Sequence, residues 1–250
     1  MAGIAVKELC VLMVAFLVSS AAVAQDSVRA EKTDTLHFTP QQLILPGALI
    51  TAGALCVSIP PFVKARKWVN KEIGVHKITP VDDYLQYAPL AGYVFLDFAG
   101  VKSRRSFVDR VIVGATATIL TVGVAQGIKH IVKERRPNSQ NTHSFPSGHT
   151  SYAFMGAELL RQDYGPWVGA CGYLAASAVG VMRVVRGYHW FNDVLAGTGV
   201  GILCARAAEW LLPFNRRWLG LDRKRGEAAV VLPTYSPFDR TVGLSVAMVF

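Results

Sequence analysis

Lys129 to His149 reads KHIVKERRPNSQNTHSFPSGH, and about 34 residues further on Arg183 to Asp193 reads RVVRGYHWFND. Apolar runs border both stretches. Val111–Ile128 precedes the first, Thr150–Leu160 and Trp167–Met182 lie between them, and Val194–Leu212 follows the second. Cations, two histidines and a carboxylate therefore stand at the ends of apolar segments. Ionisable groups beside hydrocarbon are costly and commonly mark a function. The pattern predicts membrane helices whose polar ends meet on one face.

Composition points the same way. Of 250 residues 52% are hydrophobic and only 17% charged, below the roughly 25% of soluble domains. Mean hydropathy is +0.32. So little polar surface argues against a soluble domain of this length. The formal net charge is +9, from 26 Lys and Arg against 17 Asp and Glu. In a membrane protein such an excess marks cytoplasmic loops or contact with anionic head groups. The cations are scattered over segment ends and form no single basic helix or stripe, so nucleic acid is not an expected partner. Cys10, Cys56, Cys171 and Cys204 lie in apolar stretches without metal-ligand spacing and read as small core residues.

Residues 1–24 read as a signal peptide, with Lys7, an apolar run Leu9–Ser19 and Ala22-Val23-Ala24 before Gln25. An uncleaved first anchor is the alternative. Residues 25–80 begin as a polar exported tail. A weak span follows, Leu43–Ile59, interrupted by Pro46, Gly47 and Gly53 and stopped by Pro60-Pro61. Then comes an interfacial amphipathic segment, residues 63–80, where Val63, Trp68, Ile73, Val75 and Ile78 mix with basic residues. Residues 81–213 form the core. Its spans are Tyr84–Gly100 (with Pro89 and Asp97), Val111–Ile128, the short Thr150–Leu160, Trp167–Met182 and Val194–Leu212. The clean ones approach the roughly 20 apolar residues that a bilayer needs. Small residues in AASAVG and AGTGVG suit close helix packing in lipid. Residues 214–250 hold a basic segment and a tail that reads as a two-stranded hairpin. The expected fold is all-α: a transmembrane bundle of about six helices with a short C-terminal β-hairpin-like tail.

Three pieces carry chemistry. Lys129, Lys133 and Arg136 fall at i, i+4 and i+7, one face if the helix continues to Pro137. A basic helix end that suits the dipole and anchors a span is the plainer reading. In Pro146-Ser147-Gly148-His149 a helix start leaves backbone N–H groups free, and such a terminus binds phosphate. Ser147 adds a hydroxyl, and His149 on the first turn is placed to deliver a proton. An ordinary Ser-capped junction would look the same. His189 and Asp193 are i, i+4, so the carboxylate can take the Nδ1 proton and leave Nε2 free to attack. A capping contact is again the alternative. His143 and Arg186 read as solvated loop residues.

Together the pieces resemble the type-2 phosphatidic acid phosphatase (PAP2) superfamily, which includes the vanadium haloperoxidases. Its signature is K-x6-R-P, P-S-G-H and S-R-x5-H-x3-D. The chain has Lys129-x6-Arg136-Pro137, Pro146-Ser147-Gly148-His149 and Arg183-x5-His189-x3-Asp193, with Met182 where the family has Ser. The resemblance covers roughly residues 85–212 and is similar to the bacterial membrane lipid phosphatase branch, lipid A phosphatase-like or undecaprenyl diphosphate phosphatase-like. It implies a PAP2-type bundle in which His189 attacks phosphorus to give a phosphohistidine. Asp193 orients His189, and His149 serves the leaving oxygen and then water. Lys129, Arg136, Ser147, Gly148 and Arg183 hold the phosphoryl oxygens. It implies no metal and no cofactor, and a phosphorylated envelope lipid as the partner. A phosphatidylglycerol phosphate or phosphatidic acid phosphatase, or a soluble-type periplasmic acid phosphatase, is the alternative. With the site outside, loop cations number eleven inside against eight outside once Lys129, Arg136 and Arg183 are set aside. This leans towards a periplasmic site in a bacterial inner membrane, with one of the two weak early spans not crossing.

Overall fold

The structure is a computed structural model that describes residues 38–76, 79–138 and 141–221 and the strand backbones at 228–236 and 241–249. The expected signal peptide, most of the exported tail and Cys10 lie outside the described residues. A 3-10 turn, Pro40–Leu43, leads into α1 (Ile44–Ser58), followed by α2 (Pro60–Ile73), α3 (Asp82–Leu85) and α4 (Ala88–Phe95), which a 3-10 turn, Leu96–Ala99, extends. Then come α5 (Phe107–Val132), α6 (Gly148–Tyr164), α7 (Pro166–Val185), α8 (Phe191–Trp218), β1 (Ala228–Ser236) and β2 (Thr241–Val249). The chain divides into two compact units, Met1–Trp210 and Leu211–Phe250. The described part of the first is all-helical. In the second, β1 and β2 pair antiparallel from Ala228↔Val249 to Ser236↔Thr241.

Among the described residues, four helical segments are long and apolar enough to cross a membrane: Pro40–Ser58, α5, α7 and α8. The chain is a membrane protein. Helix α6 is shorter and carries Glu158, Arg161, Gln162 and Asp163, yet those side chains and nearly all its others are buried. It is the axis around which the other helices stand. Small residues allow the approach: a Cβ on Gly201 would come within 2.3 Å of the Ser151 carbonyl oxygen, and one on Gly156 within 2.6 Å of the Leu90 nitrogen. Phe154, Ala157, Tyr173, Ala176 and Val179 fill the α6–α7 seam.

Contacts fix the direction of each segment. Helix α1 is antiparallel to α8. Gly53 approaches Asn192 and Ala196, whereas at the other end Arg206 donates to the Gln42 carbonyl (2.7 Å). Helix α4 runs with α6: Tyr87 meets Tyr152 edge to face, and the Tyr164 hydroxyl donates to the Tyr93 carbonyl (3.0 Å). Among the described residues, six segments thus run between two ends: Pro40–Ser58, residues 82–99, α5, α6, α7 and α8. One end holds Lys129, His149, Arg183 and His189. Pro40 starts at the opposite end. Both weak early segments run end to end, so the expectation that one of them stops short is not met. Residues 82–99 do so as two short helices and a 3-10 turn, because Pro89 starts α4 afresh and Gly100 (φ 89) closes the turn.

Three further expectations change. Helix α5 stops at Val132, where Lys133 takes a left-handed conformation (φ 49). Lys129, Lys133 and Arg136 therefore do not share a helix face. In α2, Trp68 is exposed whereas Ile73 and Arg66 are buried, Arg66 paired with Glu134 (2.7 Å). Of the described cysteines Cys204 is buried but Cys171 is exposed, so Cys171 is not a core residue.

Candidate active site

The site is built from one end of four helices and the loops between them. Lys129, on the last turn of α5, is buried and donates to the carbonyls of His143 (2.9 Å) and Pro146 (2.6 Å). Its ammonium thereby ties the loop before α6 to α5. Past Lys133 the chain turns back, and the Arg136 N–H donates to the Asn141 carbonyl (3.1 Å). Arg136 is delivered by this loop, its guanidinium 5.9 Å from the Tyr188 ring centre.

Ser147 precedes α6. Its N–H donates to the Asp193 carbonyl (3.0 Å), and its hydroxyl meets that of Thr150 (2.8 Å). These bonds pin the start of α6 to the start of α8. Gly148 opens the helix, and a Cβ there would meet nothing within 4 Å. One residue on, His149 Nε2 lies 3.0 Å from Asp83 Oδ1.

Arg183 ends α7. Its Nη1 donates to Asp82 Oδ2 (2.9 Å) and Asp83 Oδ1 (3.1 Å), and its guanidinium covers Tyr188 at 4.5 Å. The His189 ring is buried, with Nδ1 3.4 Å from Asp193 Oδ2, an ion-pair distance longer than an ordinary hydrogen bond. Asp193 Oδ2 also accepts from the Ser144 hydroxyl (2.5 Å) and from the Trp190 N–H (2.9 Å). The second bond reaches back three residues as in a capping box. The capping bond is formed, whereas His189 Nδ1 makes no hydrogen bond among the described residues and only lies near the same carboxylate.

The eight residues expected from the sequence all lie at this one end. Burial, then the positive charges of Lys129, Arg183 and Arg136, hold His189 well below the usual imidazole range. Burial and Arg183 press His149 down to about 4, against the pull of Asp83 and Asp82. Burial and Arg183 lower Arg136 as well. Arg136 Nε and Arg183 Nε are buried with no acceptor from the protein among the described residues. Leaving a buried donor unpaired costs about 1–3 kcal/mol, more when it is charged. Two such nitrogens beside an uncharged imidazole suit an anion that brings its own oxygens.

Sequence reasoning missed Asp82, Asp83, Arg186, Tyr188 and Ser144. Arg186 is no solvated loop residue: it donates to Asp82 Oδ1 (2.5 Å) and lies 3.4 Å from Asp83 Oδ2. Its spacing of three from Arg183 was the available signal, since such residues share a helix face. The remote partners left no comparable mark. His143 lends its carbonyl to Lys129, and its ring packs on His130 at 5.5 Å.

Comparison with known proteins adds to this geometry. A Porphyromonas gingivalis protein named lipid A 1-phosphatase is 34% identical over 137 residues, covering 53% of this chain and 31% of the relative. A Dictyostelium discoideum PA-phosphatase related-family protein is 33% identical over 94 residues, covering 32% of each. The chain thus spans about a third of the length of these curated relatives. Among solved structures, Aquifex aeolicus LpxE aligns with 22% identity and a TM-score of 0.42, over 58% of this chain and 93% of its own. A PAP2-type phosphatidylglycerolphosphate phosphatase from Bacillus subtilis aligns with 20% identity and a TM-score of 0.31, over 86% of this chain and 98% of its own. Residues 110–217, which hold α5 from Arg110 onward and all of the site except Asp82 and Asp83, match the PAP2 superfamily.

Proposed function

We propose that the chain is a membrane phosphatase that removes phosphate from an envelope lipid through a phosphohistidine, without a metal. The observation that carries this reading is the pair of buried guanidinium nitrogens of Arg136 and Arg183, unmatched by any acceptor among the described residues, next to the uncharged ring of His189. In the first step His189 Nε2 attacks phosphorus, the P–O bond to the lipid breaks, and the leaving oxygen takes a proton from His149. In the second, water attacks phosphorus and gives a proton to His149, the P–N bond breaks, and phosphate is released with His189 restored. Asp193 holds the opposite side of the His189 ring. Arg136, Arg183, Ser147 and the Gly148 N–H are placed to balance charge on the equatorial oxygens, with Lys129 adding field from the loop it holds.

Lipid A phosphate is the first substrate choice, supported by the name of the P. gingivalis relative; undecaprenyl diphosphate is next. Purified protein offered lipid A, a polyprenyl diphosphate and glycerolipid phosphates in EDTA is expected to release phosphate, lipid A fastest. Unchanged release by His189→Ala would refute the reading.

The loop cations support a site on the periplasmic face of an inner membrane. Pro40 and the site are at opposite ends of the bundle, so this orientation puts Pro40 on the cytoplasmic face. It does not go together with an exported tail. A cysteine introduced near Asn141 should be labelled by an impermeant thiol reagent in intact spheroplasts. Labelling only after lysis would reverse the orientation.

A further inference from the structure

We propose that Asp83 is the positioning residue of His149, a carboxylate–imidazole hydrogen bond that stands beside the looser approach of Asp193 to His189. The inference rests on the phosphatase reading above and assigns a residue outside the family's three motifs. His149 Nε2 and Asp83 Oδ1 are 3.0 Å apart, although 66 residues separate them in the chain. The carboxylate is itself held. Arg183 Nη1 lies 3.1 Å from Oδ1, and Arg186 Nη1 lies 3.4 Å from Oδ2. Next to it Asp82 is fully buried against the same two arginines, at 2.9 and 2.5 Å, which anchors the start of α3 to the end of α7. The Gln86 amide closes the turn by donating to the Asp83 carbonyl (2.8 Å).

The chemistry explains why a carboxylate belongs there. His149 must carry a proton for the leaving oxygen while standing among groups that oppose it. The charged and titratable groups around the ring are Arg183 from α7, His189 from the turn before α8, and Asp83 and Asp82 from α3. Only the aspartates favour the imidazolium. Partial burial pushes the Asp83 carboxyl up, but Arg183, Arg186 and His149 hold it below its ordinary value, so it stays ionised near neutral pH. An ionised Asp83 accepts from Nε2–H and fixes the ring. Nδ1 is then the nitrogen that gives its proton to the leaving oxygen and takes one from water in the second step. Asp83 exchanges no proton.

The test is leaving-group dependence in Asp83→Asn. An alkyl phosphate needs its leaving oxygen protonated, whereas p-nitrophenyl phosphate does not. A positioned acid contributes roughly 10²–10⁴-fold. The variant should lose about tenfold or more in kcat on the alkyl ester, a fraction of that acid contribution, and less than about threefold on the aryl ester. Asp83→Glu should recover part of the alkyl rate. Inorganic phosphate should inhibit the variant at least as well as the wild type and should still raise its Tm in detergent, which reports a folded site. Equal losses on both esters would make Asp83 merely structural, and no loss on either would remove its role. Tighter phosphate inhibition with both rates unchanged would make it a competitor for Arg183. Each of these outcomes overturns the proposal. If the wild type hydrolysed neither ester, the phosphatase reading itself would fail.

Discussion

At the end of the bundle away from the site, Glu158 accepts from Arg161 Nε and Nη2 (both 2.7 Å), Arg206 Nε (2.9 Å) and the Tyr173 hydroxyl (2.6 Å). Arg105 bridges Asp163 and Glu209 nearby, and Arg110 reaches Asp97. At the other end Lys129, Arg136 and Arg183 also sit in protein, but Arg136 Nε and Arg183 Nε find no acceptor among the described residues. Both ends bury charge. The first matches most of it from within, tying α6, α7 and α8 together, although Arg110 Nε there also finds no acceptor among the described residues, and the other leaves two donors beside an imidazole for a guest. A buried ion pair is poor evidence for function or even for stability, because its desolvation cost can exceed its attraction. The informative feature is that two leftover donors converge on the ring of His189.

Exchanging single residues between these two ends should separate the roles. His189→Ala should lower turnover by roughly 10³-fold or more, as expected for loss of a nucleophile, while Tm in detergent changes little. Glu158→Gln should do the reverse. It leaves Arg161 and Arg206 uncompensated, and removing one partner of a buried pair costs about 3–5 kcal/mol. Tm should fall, and kcat per folded molecule should hold. If Glu158→Gln abolished turnover in protein of unchanged Tm, the division between the ends would be wrong.

A smaller effect sharpens the account of the leftover donors. Arg183→Lys keeps the charge but loses Nε and the planar fork, so inhibition by inorganic phosphate should weaken about tenfold. Arg161→Lys, at the closed end, should leave phosphate inhibition untouched.

The smallest effect is in pH. His149 and His189 both titrate below the ordinary 6.5 when folded, His149 at about 4. The folded state therefore binds fewer protons than the unfolded one just below 6.5. Stability is full above that value and is lost as pH falls towards 4. Tm measured from pH 7 to pH 4.5 should decline, and inorganic phosphate should reduce the decline because the anion favours the imidazolium forms. His149→Gln should flatten the curve, whereas exchanges at the far end should not.

The parts of the site that could be read from the sequence are those joined by short spacing. His189 and Asp193 are four residues apart; His189 lies in the turn before α8 and does not share its face, yet so short a connection keeps its ring beside the carboxylate. Ser147, Gly148 and His149 make a helix start wherever that helix lies. The failures came where the local rule was overridden. Extrapolating α5 to Pro137 put Lys133 beside Lys129, but the left-handed cap at Lys133 turned the chain, and a loop delivered Arg136 instead. Arg186 looked solvated because its partners, Asp82 and Asp83, are about 100 residues away.

The sequence by itself determined the membrane-helix composition, the four segments from α5 to α8, and the local pieces of the site, since apolar run length and i, i+4 spacing act within one stretch of chain. Only the tertiary structure decided that His149 has a carboxylate partner, that residues 82–99 run the length of the bundle despite Pro89, and that Pro40 lies opposite the site. Those facts depend on the register between helices. Close approaches such as that of Gly201 to Ser151 set that register, and it brings together residues whose separation in the chain carries no trace of their contact.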